Sequence, residues 1–181
     1  RYLAEYRDAC LLCFTETWWC SETQNEPTVL EGFGAPYRLD RDSQVTGKER
    51  GGGVAVYVNE RWCKKSGVTV REKVCTTDVE LLALSFRPTY LPREIGQLTY
   101  VVVYVHPKAN TARASVDIAE CVHRLRTATR DCPVFVLGDV NECDLGTTLP
   151  AFHQYVNCTT RKDKTLDKCY GNVVNAYRSI R

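Results

Sequence analysis

A chain of 181 residues is long enough for one domain with a substantial core, and its formal net charge of +2 leaves no polybasic stripe. The composition, 44% hydrophobic and 25% charged, is that of an ordinary globular protein, and the apolar runs are far too short to span a bilayer. This charge balance neither favours nor excludes a phosphate-bearing partner. We expect residues 1–181 to form a single intracellular domain, nuclear or cytoplasmic.

The ten cysteines do not follow the pattern of a disulfide framework. Cys10 and Cys13 lie inside an apolar run, and Cys121 lies on the apolar side of a predicted helix, so these thiols are expected to fill a core. The C-x-x-C spacing of Cys10 and Cys13 has no second pair or nearby histidine pair, which disfavours zinc. We therefore predict reduced thiols.

The first half of the chain is predicted to be rich in strands. Residues 9–15 form an apolar run that ends at Glu16, and residues 21–50 are polar and irregular, with a turn signal at residues 25–27. Three glycines at residues 51–53 then precede an alternating apolar run, which predicts a strand. Two further strands are predicted from their apolar patterns, over residues 79–86 and 99–105.

The hydrophobic period changes after Asn110, which is a good N-cap for a helix that runs to about Arg130. Apolar residues spaced by three and four positions give this helix one buried face. The helix leads into an apolar strand over residues 133–138. This succession of strand, helix and strand, each with an apolar face, predicts a sheet covered by a helix. The large number of strands favours mixed sheets.

Polar side chains lie at the ends of three predicted strands. Glu16 ends the first, Tyr104 lies near the end of another, and Asp139 and Asn141 close the strand before them. Asp139 and Asn141 point to the same side of the sheet if the backbone stays extended. Each residue alone fits an ordinary turn or cap. As a set they predict a ligand site at the carboxyl ends of the strands.

These side chains suit the chemistry of a divalent-metal phosphodiesterase. Mg²⁺ is usually held by one or two carboxylates together with a substrate phosphate, and an adjacent aspartate and asparagine can activate a water and contact a phosphate oxygen. The sequence has no P-loop motif and no nucleophile elbow beside a histidine. We expect His123 on a helix surface and His153 in a loop, whereas His106 fits either a loop or the wall of the cleft.

Five motifs occur in a diagnostic order: FTETWW, GGGVAVYV, VVVYVHPKANTARA, VFVLGDVN and TLDKCYGNV. From about residue 8 to 179, they resemble the endonuclease/exonuclease/phosphatase superfamily, and more narrowly the apurinic-type endonuclease domain of non-LTR (LINE-like) retrotransposons. The resemblance implies an α/β (α+β) fold, a four-layer α/β/β/α sandwich of two mixed sheets. It also implies nicking of DNA with Mg²⁺, or alternatively Mn²⁺, to prime reverse transcription.

The resemblance also implies a role for each matching residue. Glu16 matches the metal-binding glutamate, and Tyr104 matches the tyrosine that contacts the scissile phosphate. Asp139 matches the aspartate that positions or activates the attacking water, and Asn141 matches the asparagine that contacts the phosphate. Asp167 matches the aspartate that orients a catalytic histidine.

The sequence departs from the family pattern at both ends. The family begins with a strand that carries an asparagine near the metal and ends with a Ser-Asp-His strand, and neither is found here. We therefore expect a domain truncated at both ends, incomplete at its N- and C-terminal strands, with weak or no nuclease activity, because losing one such group costs ~10²–10⁴-fold in rate. The alternatives are a non-catalytic retrotransposon remnant and a phosphatase or phosphodiesterase of the same fold.

The partners implied are DNA and, in a full-length element, a reverse-transcriptase domain. Phosphate contacts are predicted for four basic residues, whose alternative interpretation is as solvated loop charges: Lys48, Arg50, Arg161 and Lys164. Trp18 and Trp19 follow the metal glutamate, and packing beside the site is favoured over base stacking for both.

Overall fold

Two facing β-sheets form the body of the protein, in a computed structural model that describes residues 6–23, 29–129 and 132–180. The smaller sheet has the strand order β1-β3-β2 and consists of β1 (Leu11–Thr15), β2 (Tyr37–Leu39) and β3 (Val54–Val58). The larger sheet has the order β4-β5-β6-β7-β9-β8. Its strands are β4 (Val68–Cys75), β5 (Val79–Phe86), β6 (Leu98–Val105), β7 (Val134–Asp139), β8 (His153–Gln154) and β9 (Asp167–Gly171).

The larger sheet is buried on both faces because each central strand alternates its side chains between two cores. In β5, Leu81 and Ala83 belong to the core under a long helix, whereas Leu82 and Leu84 belong to the core between the two sheets. This explains why β5 reads as a continuous apolar run rather than as an alternating one. No helix in the described part of the chain is long and apolar enough to cross a membrane.

The long helix is α2 (Thr111–Ala128), and it is preceded in the chain by a one-turn helix, α1 (Ser43–Thr46). Asn110 caps α2 as predicted, since its side chain accepts a hydrogen bond from the Arg113 N–H at 3.1 Å. The predicted end of this helix, Arg130, lies outside the described residues. α2 joins β6 to β7, the parallel pair of the larger sheet, and so brings the carboxyl ends of both strands to one edge.

The predicted two-sheet sandwich is confirmed, with α2 packed on the outer face of the larger sheet. β5 has the predicted bounds, and the other predicted strands differ from the observed ones by one or two residues at their ends. β2 and α1 lie in the region predicted to be irregular, and β4 was not predicted. The turn signal at residues 25–27 lies outside the described residues.

Candidate functional site

A single row of side chains crosses the larger sheet at the edge where β6 and β7 end. Glu80 of β5 is in register with Tyr104 of β6, Tyr104 with Asp139 of β7, and Asp139 with Asp167 of β9. Residues in register on neighbouring strands share one face of a sheet. Tyr104 belongs to the core between the sheets, so this row faces the smaller sheet. The fold thus brings three predicted residues together and adds Glu80, which sequence reasoning missed.

Glu16 reaches this row from the smaller sheet, directly after β1. Its backbone adopts a left-handed conformation, with φ 55°, and its Oε2 accepts hydrogen bonds from the Gly52 N–H at 3.0 Å and the Trp18 Nε1–H at 2.6 Å. The Tyr104 hydroxyl is also near enough to this carboxylate to influence its pKa. Burial would raise the pKa of Glu16, but Tyr104 and the bonds from Gly52 and Trp18 lower it below its ordinary value. Glu16 is therefore held as a carboxylate in a fixed orientation.

A buried ion pair between Arg41 and Glu80 lies beside Tyr104. The Arg41 Nε lies 2.5 Å from the Glu80 Oε1, and the two side chains are only 8% and 2% exposed. The Glu80 Oε2 accepts the Gly53 N–H, and the Arg41 guanidinium lies over the Tyr104 ring, 5.7 Å from its centre. Arg41 thus links Glu80 to the phenol beside Glu16.

Two features of the sequence could have revealed this network. Glu80 is a single charged residue in the apolar strand VELLALSF, and such a residue is rarely buried without a partner. The glycine run at residues 51–53 is the second signal. Gly52 has φ 72°, and a Cβ there would lie 2.2 Å from the Arg41 Nη2, so only glycine fits beside the guanidinium.

The Asp139 carboxyl lies in a less favourable environment. Burial raises its pKa above the ordinary value, and the negative charges of Asp167 and Glu16 add to this effect. The Asn141 N–H, which donates to the Asp139 Oδ1 at 3.0 Å, and the charge of Arg161 act in the opposite direction. The neighbouring carboxylates therefore repel one another across the site.

The backbone does not stay extended after Asp139. The prediction that Asp139 and Asn141 point to the same side of the sheet assumed an extended backbone, so its premise is wrong. Asn141 adopts φ 48°, a left-handed conformation that asparagine tolerates. Its side chain is buried and its Nδ2 donates to the Val105 carbonyl at 2.7 Å, at the end of β6. Asn141 therefore lies beside the site and also ties the loop after β7 to β6.

His106 lies in the loop after β6 and lines a small cleft with Arg41, Lys48 and Tyr104, so it fits both of its predicted alternatives. Neither Glu16 nor Asp139 lines this cleft. Burial and the charges of Lys48 and Arg41 lower the pKa of His106, and its Nδ1 accepts the Lys108 N–H at 3.0 Å. A neutral ring with this contact carries its proton on Nε2.

The other two histidines lie away from this cleft. His123 is exposed on α2, as predicted. His153 belongs to the short strand β8 rather than to a loop, because it pairs in register with Gly171 of β9.

The four predicted phosphate contacts differ in their surroundings. Lys48 lies in the cleft, Arg50 is exposed on the loop before the glycine run, and Arg161 is close enough to influence the pKa of Asp139. Lys164 instead forms an ion pair with Glu142 on the exposed surface. Lys164 is therefore already partnered, which makes it the weakest of the four predictions.

The two tryptophans after Glu16 differ from each other. Trp18 is 66% exposed, which corrects the expectation that it packs beside the site. Trp19 is half-buried, and the Arg38 guanidinium lies 5.0 Å from the centre of its ring. Only Trp19 fits the packing role that was expected for both.

The donor set suits a magnesium ion that keeps much of its water. Among the described residues, no group of three or more histidine, cysteine, aspartate or glutamate side chains forms a metal cage. Mg²⁺ does not need such a cage, because it usually binds one or two carboxylates and fills its remaining positions with water and phosphate oxygens. Glu16, directly after β1, and Asp139, at the end of β7, are the two carboxylates that this edge offers to such an ion.

Solved structures match this chain in fold, whereas comparisons of its sequence find no match. No family model and no curated protein matches the sequence. The catalytic domain of human Nocturnin, solved with a bound sulfate anion, matches with a TM-score of 0.62 at 13% identity, over 94% of this chain and 71% of that one. An endonuclease/exonuclease/phosphatase family protein from Bacteroides thetaiotaomicron matches with a TM-score of 0.57 at 13% identity, over 94% and 72%.

TDP2 from D. rerio, complexed with a single-strand DNA product, matches with a TM-score of 0.58 at 13% identity, over 98% of this chain and 76% of that one. Identity this low establishes the fold alone. The chain therefore has the fold seen in endonuclease/exonuclease/phosphatase proteins.

Proposed function

We propose that this chain is a Mg²⁺-dependent phosphodiester hydrolase that nicks DNA. The observation that carries the proposal is the meeting of Glu16, from one sheet, with Tyr104 and Asp139, from the other, at a single edge. The fold shared with Nocturnin and TDP2 supports hydrolysis of phosphate esters, and the single-strand DNA product bound to TDP2 supports DNA as the substrate. The narrower role, target nicking for a retrotransposon that also encodes a reverse transcriptase, is supported by the sequence motifs.

Each residue has a role that follows from its environment. Mg²⁺, bound at Glu16 and Asp139, would supply positive charge to the phosphate oxygens. Asp139, whose pKa burial and Asp167 raise in the metal-free protein, would position the attacking water beside the ion. Burial and Glu16 raise the pKa of Tyr104, so the phenol stays protonated and acts as a hydrogen-bond donor. The neutral His106 ring offers its Nε2–H to the cleft as a second donor.

A plasmid assay tests this function. Supercoiled DNA is incubated with excess protein in Mg²⁺ or in EDTA, and open circles are counted over time. We expect nicking above the protein-free rate in Mg²⁺ alone. Asp139→Asn and Glu16→Gln should each lower the rate by ~10²–10⁴-fold, to the protein-free level.

The matched control is Tyr90→Ala, because Tyr90 is an exposed aromatic residue in the loop after β5, at the opposite end of the larger sheet. This variant should keep the parental rate. Nicking that persists in EDTA, or that is equal in the parent and Asp139→Asn, would refute the proposed hydrolase. Faster hydrolysis of a phosphate monoester than of plasmid would favour the phosphatase alternative.

A further inference from the structure

Trp18 combines features that folding stability does not explain. A tryptophan gains stability when it is buried, yet this one is 66% exposed. Its backbone has φ 60°, a left-handed conformation that is costly for a bulky residue. The Trp18 N–H donates to the Gly52 carbonyl at 2.9 Å, and the indole Nε1–H donates to the Glu16 Oε2. The ring is thus held in a strained and exposed position beside the candidate metal ligand.

The contact with Glu16 occupies the edge of the indole ring and leaves its faces available. An N–H group lies in the plane of its ring, so this hydrogen bond uses no part of either face. Exposed aromatic faces stack on nucleic-acid bases without regard to sequence, because every base has a π-face. A base that stacks on Trp18 would lie next to a phosphate positioned at Glu16 and Asp139.

Two other aromatic residues lack this combination. The ring of Trp19, the next residue, is covered by the Arg38 guanidinium. Tyr90 is more exposed than Trp18, but it lies at the far end of the larger sheet. An exposed basic residue, Arg50, lies two positions before Gly52, whose carbonyl accepts the Trp18 N–H. Basic groups beside an exposed aromatic face are typical of single-strand binding surfaces.

We propose that Trp18 stacks on an unpaired base of the DNA strand, adjacent to the phosphate that the site would cleave. The inference relies on the proposed function for the identity of the ligand, DNA, and adds how the strand is held. Stacking on Trp18 requires the cleaved strand to be locally unpaired, because a base that is paired and stacked within a duplex presents no free face to the indole.

The test is equilibrium binding of fluorescently labelled oligothymidylate in EDTA, where no hydrolysis occurs. Trp18→Phe keeps an aromatic ring and loses the donor to Glu16. Trp18→Asn keeps a donor and tolerates the left-handed backbone, but it has no ring. We expect Trp18→Phe to bind within about threefold of the parent, and Trp18→Asn to bind about 5- to 100-fold more weakly. Tyr90→Ala should bind as the parent does.

An abasic oligonucleotide of equal length completes a double-mutant cycle. The parent should prefer oligothymidylate to the abasic strand, and Trp18→Asn should lose most of that preference. Equal preference in the parent and Trp18→Asn, or weaker binding by Trp18→Phe than by Trp18→Asn, would overturn the stacking role. Stacking without plasmid nicking would uphold this inference and refute the hydrolase. Plasmid nicking by the parent, together with unchanged oligothymidylate binding by Trp18→Asn, would uphold the hydrolase and refute the stacking role.

Discussion

The two halves of the candidate site are built in opposite ways. On the Glu16 half, hydrogen bonds hold Glu16 and a buried ion pair joins Arg41 to Glu80, and the pKa of Glu16 is lowered because Tyr104 and the bonds from Gly52 and Trp18 outweigh burial. On the Asp139 half, burial and nearby carboxylates raise the pKa of the aspartate. Folding therefore stabilises the charge of the first half, and the charge of the second half is left for a bound cation to neutralise.

The two halves of the site are therefore stabilised at different stages, the first during folding and the second when a ligand binds. The Glu16 half is assembled during folding, at the expense of two left-handed residues, Glu16 and Trp18. The Asp139 half gains its stabilisation when a ligand binds. Without a bound cation, substitutions in the first half should therefore lower the free energy of unfolding, whereas neutralising Asp139 in the second half should raise it.

The largest expected effect is that of Arg41→Ala. This substitution leaves the Glu80 carboxylate buried without its cation, which costs about 3–5 kcal/mol of unfolding free energy. Urea denaturation measures the change. The control is Arg61→Ala, because the Arg61–Asp8 pair is 71% and 78% exposed and should contribute less than about 1 kcal/mol. Equal losses in both variants would contradict the view that folding stabilises the Glu16 half through this pair.

A smaller loss is expected for Gly52→Ala. The left-handed φ of 72° costs alanine about 1–2 kcal/mol, and the new Cβ also displaces the Arg41 guanidinium. Gly47→Ala is the matched control, since Gly47 has φ 67° with no atom within 4 Å of the added Cβ. Thermal unfolding of both variants separates backbone strain from the contact with Arg41. If Gly47→Ala loses as much stability as Gly52→Ala, close packing of Arg41 against Gly52 is refuted.

The smallest effects are those of single charges, and they should have opposite signs in the two halves. The lowered pKa of Glu16, for which hydrogen bonds outweigh burial, means that its ionised form stabilises the fold above its ordinary pKa of 4.5. That stability is lost as the pH falls through the folded pKa. Glu16→Gln should therefore destabilise the protein at pH 7, by an amount that shrinks in acid.

Asp139 should show the reverse behaviour. Because burial and neighbouring charges raise its pKa, its contribution is fully present below the ordinary pKa of 3.8 and is lost as the pH rises through the folded pKa. Asp139→Asn should therefore stabilise the protein at pH 7 in EDTA, and the gain should disappear in acid. Urea denaturation from pH 7 to pH 3 gives both profiles, and a loss of stability in Asp139→Asn at pH 7 would contradict the comparison.

The sequence predicted the strand ends that carry the site but not how they are joined. Glu16, Tyr104 and Asp139 could be found because each polar residue follows an apolar run. The isolated charge of Glu80 signals a buried partner, but that partner, Arg41, could not be identified, since the two residues are far apart in sequence and strand register cannot be read from composition. The turn at Asn141 was missed because the alternation rule holds only for extended backbone. β4 was missed because many of its residues are exposed, which weakens its apolar pattern.

Binding of Mn²⁺, measured by electron paramagnetic resonance without DNA, tests most directly the claim that the two halves form one metal site. Glu16→Gln and Asp139→Asn should each weaken Mn²⁺ binding by about tenfold or more, because each removes one of two carboxylates that an ion of this kind prefers. Asp8→Asn, which changes an exposed carboxylate away from the site, should bind Mn²⁺ as the parent does. Mn²⁺ affinity that is the same in the parent, Glu16→Gln and Asp139→Asn would contradict the claim.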